Sequence, residues 1–176
     1  MTKILATFFA VAVATASGAA TERDSDVVIP RDYLRTAAAA CRANDFDTFF
    51  NDFMWSADVR RRYTGATVEE RSIAAPTRPG TVRPATPDRF DIELIDYTYA
   101  DAASVQRWEK DKTPFTELWL TRTKLPDGRR RVEYQPAILH DDGEGDGKTL
   151  IRKIGKPRAY VFAPVGGCWK LVQWLK

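Results

Sequence analysis

Phe46, Phe49, Phe50 and Phe53 stand at i, i+3, i+4 and i+7 in FDTFFNDF, so their rings share one face of a helix. Upstream, RDYLRTAAAACRA carries Leu34, Ala38 and Cys41 at helical spacing, which predicts a first helix with those three inward. Asn44-Asp45 separates the two segments, and a short polar side chain there caps a new helix start. SADVRRRYT reads as a third short turn, with Ser56 or Asp58 as its cap and Val59 and Tyr63 inward. A phenylalanine stripe can line a ligand box, but at helical spacing its ordinary role is core packing.

From Arg89 onward the period becomes two. Phe90, Ile92 and Leu94 alternate with Asp91 and Glu93, the pattern of a half-buried strand. PFTELWLTRTK predicts a second strand, Pro126-Asp127-Gly128 a hairpin turn, and RRRVEYQPAILH its return, with Val132, Tyr134 and Ile138 on one side. TLIRKI, RAYVFAP and CWKLVQWL complete the set. The last is apolar on both faces (Trp169 and Leu171; Val172 and Trp174), which predicts a central place in the sheet. Residues 65–88 carry Pro76, Pro79, Pro84 and Pro87 without a hydrophobic period and read as a long proline-rich loop. Helices first and strands after is an α+β pattern, N-terminal helices packed on a curved antiparallel sheet.

ACRANDFDTFFNDF, a broken helical pair, together with the closing GGCWKLVQW, resembles the nuclear transport factor 2-like (SnoaL-like, cystatin-like) superfamily over residues 31–63 and 158–175. The resemblance implies a cone-like half barrel. It also implies that a catalytic member would carry an aspartate–histidine pair inside the cone, and that exported members lacking such a site include immunity-type proteins that neutralise a secreted toxin.

The first 20 residues, MTKILATFFAVAVATASGAA, have the layout of a secretory signal peptide: Lys3, a largely apolar run from Ile4 to Val13, then small residues suited to cleavage after Ala19 or Ala20. The run is shorter than a spanning helix requires, so no membrane span is expected. Residues 21–176 are then one domain, exported to the periplasm or secreted. In that compartment the only two cysteines, Cys41 and Cys168, are expected to bridge.

Charge narrows the partners. The chain has 27 basic and 24 acidic residues and a net charge of +3, which falls by one when Lys3 is removed with the signal. So small an excess argues against a dedicated nucleic-acid binder. The basic residues cluster, however, as Arg60-Arg61-Arg62, as Arg129-Arg130-Arg131, and as Arg152, Lys153, Lys156 and Arg158. Such runs are ordinarily solvated charge. On an exported protein their functional reading is contact with an acidic protein partner or an anionic envelope component, and Arg60, Arg61, Arg62, Arg129, Arg130 and Arg131 are the candidate partner-binding residues.

Candidate chemistry is sparse. HDDGEGDGK, residues 140–148, has the composition of a calcium loop, with Asp142, Glu144, Asp146 and Gly147 at positions 1, 3, 5 and 6. Position 12 is Lys153 where a bidentate glutamate is needed, and Lys148 adjoins the site, so the stretch reads as a hairpin loop and no metal is expected. His140, the only histidine, borders a strand end. Glu93, Glu117 and Glu133 alternate with apolar neighbours in the manner of a solvated face. No phosphate loop, zinc spacing or nucleophile triad is present, so no catalytic or cofactor-binding residue is named and no cofactor is expected. The leading expectation is a non-catalytic binding protein of the inhibitor or immunity kind. The alternatives are a small-ligand carrier using an apolar cone lined by Trp108, Trp119, Trp169 and Trp174, and an enzyme of the same fold. A homodimer through the sheet is a further expectation.

Overall fold

The structure, a computed structural model, describes residues 32–84, 94–95, 100–114, 116–141 and 148–176. The signal-like segment, most of the strand expected at 89–94 and the acidic residues 142–147 lie outside the described residues.

Three helices follow one another: α1 (Tyr33–Ala43), α2 (Phe46–Trp55) and α3 (Ala57–Tyr63). Each starts on a side-chain cap. Asp32 accepts from the Arg35 N–H at 3.0 Å, Asp45 from Thr48 at 3.1 Å and Ser56 from Val59 at 3.4 Å. The expected break is Asn44, whose left-handed φ of 54° ends α1 and turns its N–H onto the Ala40 and Cys41 carbonyls.

All four phenylalanines of α2 are buried, as are Val59 and most of Tyr63. The inward face of α1 differs from the expected one. Ala37 and Ala40 are buried, with Tyr33 and Cys41 beside them, while Leu34 is 42 % exposed. Small residues win that face because α1 packs closely on α2, where the Thr36 hydroxyl donates to the buried Asp52 carboxylate at 2.6 Å.

The strands are β1 (Thr64–Arg71), β2 (Thr81–Pro84), β3 (Leu94–Ile95), β4 (Ala100–Asp101), β5 (Leu118–Lys124), β6 (Arg130–Asp141), β7 (Lys148–Lys153), β8 (Arg158–Val165) and β9 (Cys168–Leu175), and α4 (Ala102–Asp111) lies between β4 and β5. The main sheet runs β2-β1-β9-β8-β6-β5, with β7 pairing further along β6, and β3 pairs separately with β4. The fold class is α+β, and β9 is central as the sequence predicts.

Three expectations are corrected. The sheet is mixed rather than antiparallel, because β1 pairs with β9 in parallel, Thr64 opposite Leu171 and Arg71 opposite Leu175. A parallel pair needs a long crossover, and the rest of the sheet, which lies between these two strands in sequence, supplies it. The proline-rich stretch 65–88 is not a loop throughout: β1 and β2 form an antiparallel pair from Thr67–Pro84 to Glu70–Thr81. The turn between them is tied down, since the Ile73 N–H donates to the Lys176 carbonyl at 2.8 Å and Arg71 to the Pro76 carbonyl at 2.7 Å. Finally, α4 occupies a stretch where the sequence reading predicts no helix. Its signal is present in the Asp101 cap, which accepts from the Ser104 N–H at 2.9 Å, and in the helix-favouring AASVQRWEKD.

The register slips between Val161/Phe162 and their partners, leaving Val172 as the extra residue on β9. Tyr160, Phe162, Trp169, Leu171 and Trp174 then face the helices, while Ala159, Val161 and Leu175 face the opposite side, covered there by Ile73 and Leu125. Cys41 of α1 and Cys168 at the head of β9 are joined by a disulfide, their Cα atoms 4.7 Å apart across a sequence separation of 127.

Replacing both cysteines by serine is expected to lower unfolding stability by about 3–5 kcal/mol. Urea titration of the oxidised parent and the double variant at neutral pH measures the difference. A non-reduced tryptic digest of the parent should contain the Cys41–Cys168 cross-linked peptide.

Candidate functional site

Among the described residues, aromatic rings pack between helices and sheet. Phe46 meets Trp169 edge-on at 5.2 Å and Phe162 at 5.5 Å; Phe49 lies 5.3 Å from Trp169 and 5.2 Å from Tyr63; Phe53 meets Phe162 at 5.1 Å. Beyond them, Tyr134 stacks on Tyr160 at 5.1 Å, and its hydroxyl accepts from the Trp174 indole N–H at 2.9 Å. An opening of about 280 Å³ touches Asp101, Tyr134, Lys156 and Arg158. Asp101 there is already the cap of α4, and the Tyr134 hydroxyl already holds Trp174.

The four tryptophans of the carrier reading do not converge. Trp169 is core and Trp174 is held by Tyr134, whereas Trp108 is 40 % exposed on α4. Trp119 points away from its neighbours Leu118 and Leu120, both of which pack on the core.

The titratable candidates are dispersed as well. Glu117 pairs with Lys148, and Glu133 accepts from Arg131 at 2.6 Å. His140 is exposed, penultimate in β6 and opposite Thr149 of β7, and Glu93 lies outside the described residues. Sequence reasoning missed Asp52, a fully buried carboxylate that links α2 to α1 through Thr36. No pattern flags it, because its neighbours Phe49, Phe50 and Phe53 account for the helix face on their own.

The six candidate arginines do not form one surface. Arg60 donates to the Phe53 and Met54 carbonyls at 3.2 and 2.6 Å, satisfying the C-terminal end of α2. Arg61 pairs with Asp58 at 2.8 Å, and Arg62 is exposed. Arg129 binds Asp127 at 2.6 Å and Gln173 at 3.4 Å, whereas Arg130 lies on the other side, over the Phe46 and Trp169 rings at 5.5 and 5.8 Å. Neighbours along an extended strand point to opposite faces, so this arginine run is split between them.

On the outer face Glu69 is the centre of a polar chain. It takes a hydrogen bond from Arg71, whose guanidinium lies 2.7 Å away, and further bonds from the Gly80 N–H at 3.1 Å and the Gln173 amide at 3.2 Å. The Arg71 bond, first, and then those of Gly80 and Gln173 outweigh desolvation and hold the Glu69 pKa at about 2, below its ordinary 4.5.

A cleft of about 510 Å³ opens where α1, α3 and the β8–β9 turn meet. Arg42, Arg62 and Lys170 line it, Tyr63 and the disulfide contribute to its walls, and no acidic residue does. These three cations come from residues far apart in sequence, which is why only Arg62 among them stands out as a candidate there.

No family model and no curated protein matches the chain. Among solved structures it is similar to a substituted form of Rd1NTF2_05, at 14 % identity over 81 % of this chain and 90 % of that one, with a TM-score of 0.31. It is also similar to Aln2 from a Streptomyces species, at 13 % identity over 81 % of this chain and 83 % of that one, with a TM-score of 0.30. Likenesses this low carry no functional argument, and the α+β assignment rests on the elements themselves.

The Glu69 site makes stability depend on acid. Its folded pKa is depressed, so its contribution is complete above about pH 4.5 and is lost as pH falls towards about 2. Urea midpoints should therefore drop across that window in the parent, and drop less steeply in Glu69→Gln, which should already be the less stable at pH 7. Parallel pH profiles for the two proteins would contradict the assignment.

Proposed function

We propose that the chain is an exported, non-catalytic binding protein, periplasmic or secreted, that captures a protein partner through its charged surface. In this reading it acts as an inhibitor or immunity protein that neutralises a secreted toxin. The observation that supports this reading is the ring packing between helices and sheet: among the described residues Phe46, Phe49, Phe50, Phe53, Phe162 and Trp169 are buried against one another. Buried ligand sites are concave and largely preformed, and packed rings offer neither volume nor converging polar groups.

Secondary support comes from the covalent frame and the surface. A disulfide fits an oxidising compartment. No described helix is long and apolar enough to cross a membrane. Arg61 and Arg62 stand exposed on α3, and Arg129 and Arg131 sit half-buried at the outer sheet face, so the candidate contacts belong to the surface rather than to an enclosed site. Among the described residues Arg61, Arg129 and Arg131 are engaged by groups of the fold, whereas the exposed fork of Arg62 is not, and it suits a carboxylate of a partner.

Affinity capture with the tagged, disulfide-intact protein, from envelope extract and against the products of adjacent genes, tests the reading. The expected result is a stoichiometric protein complex whose affinity falls as salt is raised. A domain that captures no protein but turns over or tightly retains a small molecule would overturn it.

A further inference from the structure

We infer that the cleft between α1, α3 and the β8–β9 turn is an acidic-peptide site, formed by Arg42, Arg62 and Lys170, which receives a carboxylate-rich segment of the protein partner. The inference rests on the binding-protein reading and deepens it by naming the surface and the chemistry it takes.

Charge is the first support. Three cations line one concavity, and no described carboxylate pairs with any of them. Their neighbours contrast with this: Arg60 is occupied by helix carbonyls and Arg61 by Asp58. Like charges gathered in a cleft raise the local potential and repel each other, and a ligand bearing several carboxylates relieves both effects. Two of the cations are arginines, whose planar forks take carboxylates through paired hydrogen bonds.

Construction is the second. Arg42 follows Cys41, and Lys170 lies two residues from Cys168 on the same side of β9, so the disulfide joins the backbone segments that carry a cation on each wall. Preformed geometry lowers the ordering cost of binding. The turn at the mouth is Gly166-Gly167, with φ of 59° and 77°, both in the left-handed region that suits a two-residue hairpin. A Cβ at either glycine would meet nothing within 4 Å, so the turn leaves bare backbone and open space there.

Shape decides between a peptide and a small ion. Apolar groups line the cleft beside the cations, with Tyr63, Ala38 and the 47 % exposed Val165 among them. A volume of about 510 Å³ exceeds what one small oxyanion fills. A segment that places an apolar side chain between acidic ones matches both features.

The test uses the intact, oxidised full-length protein and an acetylated Glu-Glu-Phe-Glu-Glu peptide, with inorganic pyrophosphate as a second probe. Saturable shifts of the Gly166 and Gly167 amide resonances on adding the peptide are expected. Arg62→Glu with Lys170→Glu should weaken peptide binding at least about tenfold, and Arg62→Ala with Lys170→Ala should weaken it in the same direction. The charge-matched control on α4, Arg107→Glu with Lys110→Glu, should change it less than about twofold. Absence of saturable shifts, equal weakening by cleft and control variants, or shifts with pyrophosphate but not with the peptide would each overturn the inference. A partner complex indifferent to the cleft variants would sink the inference and leave the binding-protein reading standing. Peptide binding at the cleft by a protein that captures no partner would do the reverse.

Discussion

The structure depends on one act of burial, the packing of the α2 phenylalanine stripe into the hollow of the sheet. Phe46, Phe49, Phe50 and Phe53 meet Phe162 and Trp169 from β8 and β9, mostly edge to face, the arrangement that aromatic quadrupoles favour. Each ring removes a large apolar area from water, so this cluster is the main source of cohesion between helices and sheet. The slip between β8 and β9 serves the same contact, because it keeps Phe162 and Leu171 under the helices while Val161 and Leu175 turn to the other face. The disulfide then fixes α1 to the head of β9, beside the ring cluster.

The ring packing has a functional consequence. Helices packed on a sheet can enclose a ligand only where space is left between them, and among the described residues the rings of α2, β8 and β9 occupy the space they share. The charged groups divide by role. Arg60, Arg71, Arg129 and Arg131 are occupied by carbonyls, carboxylates or amides of the fold itself. Among the described residues Arg42, Arg62 and Lys170 have no such engagement, and they line a cleft whose wall includes the disulfide.

Some of this is legible in the sequence, for identifiable reasons. The stripe at 46–53 is plain because four large rings repeat at the helical period. The central place of β9 is plain because CWKLVQWL is apolar on both faces. The inward face of α1 is misread because hydrophobicity points to Leu34, whereas close approach of two helices selects Ala37 and Ala40. β1 escapes notice because only Thr64 and Val68 of its eight residues are buried; its pairing with β9 is made by main-chain groups that leave no apolar period. The arginine run at 129–131 looks like one patch when only composition is considered, although strand alternation already divides it. The cleft is invisible because residues 42, 62 and 170 come together only through the tertiary fold.

The central claim is that the α2 rings pack fully against the sheet among the described residues, and Phe49→Ala tests it most directly. Phe49 is fully buried and touches the rings of Phe46, Phe53, Tyr63, Phe162 and Trp169. Truncating a ring with that many packed neighbours removes its transfer energy and leaves a cavity, so a loss of about 3–5 kcal/mol is expected from urea unfolding at neutral pH. A loss below about 1 kcal/mol, the behaviour of a side chain lining open space, would contradict that packing and return the ligand-carrier reading to the front.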